Sequence, residues 1–417
     1  MGDNSATAIA ARPLPARLEA TPRYAWVILF VVFIASVVAP LNQFKVPPCV
    51  PQLVGQFHSN MTQVGLLMAV FSIAGLVLSF PTGFLLGKLG AKSTGGIAIL
   101  LLVAGSLCGT YSTTFASLLA SRTFEGAGMA IIGVIAPVMI SSWFPARMRG
   151  LSLGIWSTWC SVGIFLVMNA APRLLMVGND WRKVWWFGSV AGAMSLVMFL
   201  SLYRNPASRV GAVVVGQEGE HFRKPPKGGF LAVLLTRDVW LLSISLAMFN
   251  ILVMAMGTFL QPFLMKVHSL SGSTAGLYSS LSSVVMLVSC PLGGFLSDRL
   301  NVKKWIIAAG LMLLSSFWLI AFSAPVHYVP AIIVLFGILS GPVVTAIMSV
   351  VPDVVKRPEL MGFGMATLMF SMNVGSFIGP VLFGQILDKT ASWTAASYAM
   401  IPVCFIGAIT ACMMKTK

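Results

Sequence analysis

The chain has 417 residues, of which 57% are hydrophobic and only 9% charged, and its 27 Lys and Arg against 11 Asp and Glu give a formal net charge of +16. Soluble domains carry about 25% charged residues. A chain this poor in charge cannot cover a water-facing surface, which excludes a soluble enzyme and a nucleic-acid-binding domain and indicates a membrane protein. The six cysteines, Cys49, Cys108, Cys160, Cys290, Cys404 and Cys412, form no CxxC pair and do not alternate with histidine. Neither a disulfide framework nor a metal site is expected, and they read as small apolar side chains in membrane helices.

A spanning helix needs about 20 mainly apolar residues. Twelve such runs are expected in chain order: Tyr24–Phe44 (extending towards Val54), Thr62–Leu86, Gly95–Tyr111, Ala116–Ser142, Gly150–Ala171, Val184–Tyr203, Asp238–Leu264, Ser273–Leu296, Lys304–Ser323, Tyr328–Val350, Leu360–Leu387 and Trp393–Met414. Before them Met1–Pro22 lacks an apolar core, so the first helix is expected to act as the insertion signal. Between the sixth and seventh runs lies a polar stretch with Gly-Gln-Glu-Gly-Glu and Lys-Pro-Pro-Lys-Gly-Gly, the composition of a flexible linker. The expected organisation is a tail (1–23), a six-helix bundle (24–203), a linker (204–237) and a second six-helix bundle with a short tail (238–417). The fold class is an all-α membrane protein with twelve transmembrane helices in two pseudo-symmetric bundles.

Lys and Arg mark the cytoplasmic side of a polytopic protein. All but seven of the 27 fall in the tails, the linker and alternate connections; the exceptions are Lys45, Arg122, Arg173, Arg182, Lys183, Lys266 and Lys389. Both termini are therefore expected in the cytoplasm. An internal repeat agrees with an even number of spans. Thr-Gln-Val-Gly65 and Gly83-Phe-Leu-Leu-Gly-Lys88 recur 211 positions later as Ser-Thr-Ala-Gly276 and Gly294-Phe-Leu-Ser-Asp-Arg299, and Lys92 maps onto Lys303. Two halves of like topology with a site between them are the build of a secondary transporter.

These motifs resemble those of the major facilitator superfamily over essentially the whole chain. The loop Gly83-Phe-Leu85-Leu-Gly87-Lys88-Leu-Gly90-Ala-Lys92 is similar to the family's Gly-x-Leu-x-Asp-Arg/Lys-x-Gly-x-Lys/Arg, with Gly87 where the family has an acid, and Gly294-Phe-Leu296-Ser-Asp298-Arg299 restores that acid. The resemblance implies a cytoplasmic conformational latch at Gly83, Lys88, Lys92, Gly294, Asp298 and Arg299, weakened in the first half by the loss of the acid. It also implies transport by alternating access, with no cofactor, in a monomeric carrier of a bacterial inner membrane.

Three segments hold the candidate transport residues. Leu118-Leu-Ala-Ser-Arg122-Thr-Phe-Glu125-Gly126-Ala-Gly128 resembles the family's Leu-x-x-x-Arg-x-x-x-Gly-x-Gly. Spaced by three, Arg122 and Glu125 share a helix face and can pair, which lowers the cost of burying either. Glu125 would sit about 13 Å below the outer edge, near mid-membrane, where a proton-coupling site is useful; the alternative is a permanently paired strut. Asn42-Gln43-Phe-Lys45-Val-Pro47-Pro48 ends helix 1 with a cation beside two amides. Prolines there loosen the helix, and family members that carry anions often place a cationic or polar binding residue in this segment. Lys45 either faces the transport path or snorkels to the outer interface. Gln43, Trp159, Asn250, Tyr278 and Asn373 complete the candidate substrate-binding set.

The expected function is proton-coupled uptake of a small organic or inorganic anion, with Lys45 and Arg122 attracting the substrate and Glu125 carrying the proton. The alternative is a proton-antiport exporter of hydrophobic or cationic compounds, for which 24 Met, 11 Trp and 27 Phe could supply a lining. No catalytic His/Asp/Cys constellation or Gly-rich phosphate loop points to an enzyme or a nucleotide-driven pump.

Overall fold

The computed structural model describes residues 23–205, 236–300, 302–355 and 360–415. The N-terminal tail and most of the linker fall outside these residues. Among the described residues, twelve helical segments are long and apolar enough to cross a membrane. In the N-terminal half they are α1 (Arg23–Phe57), α2 (Met61–Leu78), α3 (Lys88–Thr110), α4 (Phe115–Ser141), α5 (Leu151–Leu175) and α6 (Arg182–Leu202). In the C-terminal half they are α7 (Arg237–Lys266), α8 (Gly272–Leu296), α9 (Lys303–Ile320), α10 (Val326–Val355), α11 (Gly364–Thr390) and α12 (Trp393–Cys412). The chain thus forms the expected all-helical, twelve-span architecture.

Proline places the main break in α1. Its regular part ends at Gln43, a 3₁₀ turn covers Pro47–Cys49, and a second helix, Val50–Phe57, follows. Pro47 and Pro48 carry no N–H, so they cannot donate to the carbonyls of Gln43 and Phe44 one turn earlier. In α12 the helix restarts at Ile401 after Tyr398, whose carbonyl would need the missing N–H of Pro402. Near the start of α3 the chain turns at Gly90, whose φ of 77° and ψ of 168° suit glycine.

Within the first half α1 packs on α4, α5 and α6; within the second α7 packs on α11 and α12, and α8 on α10. Two seams join the halves, α2 against α11 and α5 against α8. The α2–α11 seam runs from mid-depth, where Asn373 abuts Gly75, to the end opposite the chain termini, where Gly65 meets the Pro380 carbonyl and Gly384 the Met61 carbonyl. A continuous apolar core that includes Leu53, Met168, Trp185, Phe259 and Phe383 joins both halves at this distal end. A second core, including Ala25, Ile135, Phe144 and Tyr203, belongs to the N-terminal half alone. The halves are therefore closed against each other at the distal end.

A buried charge node as candidate functional site

The end of α1 creates the site. Helix carbonyls without an N–H partner need another donor, and a cation at a helix C-terminus also meets the negative end of the dipole. Arg122 of α4 fills that role. Its Nη1 donates to the Asn42 carbonyl at 2.6 Å and its Nη2 to the Gln43 carbonyl at 2.7 Å. Its Nε donates to the Leu67 carbonyl of α2 at 3.2 Å, and the guanidinium lies 4.1 Å from the centre of the Phe71 ring. One arginine thereby ties α4 to α1 and α2.

Glu125, one turn further along α4, holds two cations. Its Oε2 accepts from Arg122 Nη1 at 2.5 Å and its Oε1 from Lys45 Nζ at 2.5 Å. Lys45 donates twice more, to Asn42 Oδ1 at 2.9 Å and Ser106 Oγ at 2.8 Å, which engages all three ammonium hydrogens. The Trp185 ring lies 4.6 Å from the same nitrogen. Ser106 in turn donates to the Trp185 carbonyl at 2.8 Å, so α3 and α6 are fixed around the lysine. Gly105 makes room: a Cβ there would stand 2.7 Å from Glu125 Cγ. Lys45, Arg122 and Glu125 are all 0% exposed.

Chemically, the node is one carboxylate between two cations in a sealed, low-dielectric pocket. With Glu125 ionised its charges sum to one positive charge, shared with carbonyl, hydroxyl and amide oxygens and two aromatic faces. Adding a proton to Glu125 frees both cations from their only carboxylate among the described residues. The node is thus held together by a single carboxylate, and neutralising it would leave two buried cations without an ionic partner.

The expected site residues divide on this geometry. Gln43, through its backbone, Lys45, Arg122 and Glu125 come together. The snorkelling reading of Lys45 is incorrect, because α1 continues past it to Phe57 and its side chain is buried against Glu125 instead of reaching the interface. Asn250 is buried on α7, donates to the Leu246 carbonyl at 3.0 Å and accepts from Ser376 at 3.4 Å. Asn373, one turn before Ser376 on α11, donates to the Met369 carbonyl at 2.9 Å. Trp159 stacks on Trp156 at 5.7 Å, and Trp156 donates to Ser36 of α1 at 2.9 Å. Tyr278 is half-buried and packs against the joint core. Of the expected latch, Lys88 and Arg299 are exposed and Lys92 and Gly294 half-buried, while the burial of Gly83 and the Asp298 side chain lie outside the described residues. Asn42, Ser106, Trp185 and Phe71 are site residues that the sequence reading did not assign. Asn42 had a local signal, three residues before Lys45; Ser106 and Trp185 lie 61 and 79 residues from their partners and had none.

Twelve spans in two repeated bundles, with a buried ionic node inside the first, define a polytopic membrane protein. The sequence pattern of the Major Facilitator Superfamily matches residues 32–361 and 254–416, and the chain belongs to that family of secondary transporters. The Hexuronate transporter of Bacillus subtilis (strain 168) is 22% identical over 388 residues, covering 89% of each chain. The Hexuronate transporter of Escherichia coli (strain K12) is 21% identical over 402 residues, covering 88% of this chain and 90% of its own. Among solved structures, a bacterial homologue of the human lysosomal transporter Spinster, in an inward-facing and occupied conformation, superposes with a TM-score of 0.74 at 18% identity over 94% of this chain and 96% of its own.

Proposed function

We propose that this secondary transporter takes up a small organic anion together with a proton. The observation that carries the reading is the node itself: two cations, Lys45 and Arg122, share one carboxylate, Glu125, with all three 0% exposed. A buried net positive charge is costly, and an anion offsets it. Protonation of Glu125 from the outside releases Lys45 and Arg122 to an anionic substrate; loss of the proton to the inside lets Glu125 re-form both pairs and expels the anion. A proton and an anion are thus taken up in the same half-cycle. Relatives that carry hexuronates, which are sugar carboxylates, support this substrate class. The basic connections support a cytoplasmic position for both termini, and hence for the end opposite the α2–α11 glycine contacts. Gln43, Trp159, Asn250, Tyr278 and Asn373 are proposed to contact the neutral part of the substrate.

The test is uptake of radiolabelled glucuronate and galacturonate into liposomes holding the purified protein, with the outside acid relative to the lumen. Accumulation above the external concentration is expected, and its collapse when an ionophore removes the pH gradient. No accumulation of any carboxylate, with proton-driven export of hydrophobic cations instead, would overturn the reading.

A further inference from the structure

At the distal end of α2, the first four backbone N–H groups have no partner within the helix. Two are satisfied locally. Asn60 Oδ1 accepts from the Gln63 N–H at 2.8 Å, and Gln63 Oε1 accepts from the Asn60 N–H at 3.0 Å, a reciprocal capping box. The other two are satisfied from the opposite half of the molecule. Asp388, near the end of α11, accepts from the Met61 N–H at 2.8 Å through Oδ1 and from the Thr62 N–H at 2.7 Å through Oδ2. Its Oδ2 also accepts from the Thr62 hydroxyl at 2.6 Å. One carboxylate therefore takes three hydrogen bonds, and its charge lies at the positive end of the α2 dipole.

We infer that Asp388 is a distal latch, a carboxylate of the C-terminal half that clips onto the N-terminus of α2 and stabilises the state closed at this end. The division of labour at the helix end supports this. Asn60 and Gln63 keep the first turn capped whether or not the halves are in contact, so Asp388 can leave without unravelling α2. Its three bonds all cross the seam where Gly384 lets α11 approach the Met61 carbonyl, so they break whenever the halves part here. The Asn60-Met61-Thr62 triplet, a glycosylation sequon by spelling, is used here for capping and latching. The surrounding pocket, lined by Ser59, Asn60, Lys266, Leu387 and Trp393 with Asp388, gives water access to the freed groups once the latch opens. Only separation of the two halves at the distal end during transport is required; neither solute nor coupling ion enters.

The test reads the distal opening directly. Spin labels at two exposed positions, Thr113 in the N-terminal half and His327 in the C-terminal half, report their separation by double electron–electron resonance, with Cys108, Cys160, Cys290 and Cys412 replaced by serine. Losing a hydrogen bond worth about 1 kcal/mol changes an equilibrium by about fivefold. Asp388→Asn, which replaces one accepting oxygen with a donor, should raise the long-distance population by about fivefold. Thr62→Val should shift it the same way by less, and the double variant should gain less than the sum of the two. Unchanged distances in an Asp388→Asn protein that is monodisperse and melts at the parent temperature would overturn the latch. If that variant is not recovered folded, Thr62→Val decides alone: a distribution identical to the parent's is the contradicting result.

Discussion

The two halves of this carrier follow the same repeat yet fill their centres with opposite chemistry. The offset that carries Gly65 onto Gly276 carries Lys45, Ser106, Arg122 and Glu125 onto Met256, Phe317, Ile333 and Phe336. In the first half Lys45, Ser106 and Glu125 meet through hydrogen bonds. In the second, Phe317 and Phe336 touch ring to ring at 4.9 Å, and all four counterparts are buried. The aromatic cluster continues through Phe263 and Phe322 at 4.9 Å, Phe322 and Phe383 at 5.1 Å, and Phe259 and Phe383 at 4.8 Å. One half is thus held by directional bonds that a single proton can weaken, the other by dispersion and shape that no proton alters. That asymmetry is suited to a machine with one switching element and one rigid wall.

The difference between the halves is greatest at Glu125. Glu125→Ala leaves two buried cations without their carboxylate and should destabilise the protein by about 3–5 kcal/mol, measured by thermal or denaturant unfolding in detergent. Replacing the counterpart, Phe336→Leu, keeps most of the volume and should cost less than about 1.5 kcal/mol. A double-mutant cycle of Lys45→Met with Glu125→Gln sharpens the contrast: the coupling energy should be about 1–3 kcal/mol, whereas Met256→Leu with Phe336→Leu should couple far less. Gly105→Ala, which drives a methyl into Glu125 Cγ, should cost about 1–3 kcal/mol through overpacking and lower uptake with it. Ser106→Ala removes the hydrogen bonds to Lys45 and to the Trp185 carbonyl and should cost about 1–2 kcal/mol, with transport weakened but not abolished.

Much of the architecture was legible in the sequence because lipid leaves few options. Apolar run length gives the spans, the basic loops give a topology, and the repeat divides the chain at a polar stretch. The Arg122–Glu125 pair was visible from helical spacing, and Pro47-Pro48 marked the break that exposes the α1 carbonyls. What was not legible was the depth of Lys45. Length along an ideal helix from the cytoplasmic end carries it to the outer interface, but α1 runs on past it to Phe57, so the side chain is buried and meets a carboxylate 80 residues away. Ser106, Trp185 and the Asp388 contacts are likewise products of helix packing, set by residues with no local pattern. Polar residues such as Asn250 and Asn373 were easy to list, since few occur in the spans; their neighbours, Ser376 and Gly75, were not.

In the proposed mechanism the proton taken up by Glu125 drives accumulation of the substrate. Glu125→Gln mimics the protonated acid permanently, so it should keep solute exchange across the membrane while losing concentrative uptake under an inward proton gradient. Liposomes loaded with unlabelled hexuronate and presented with the labelled compound measure the first; empty liposomes with an acid exterior measure the second. Counterflow close to the parent's and no accumulation above the external concentration are expected. A Glu125→Gln protein that still accumulates substrate against its gradient, driven by protons, would contradict the claim.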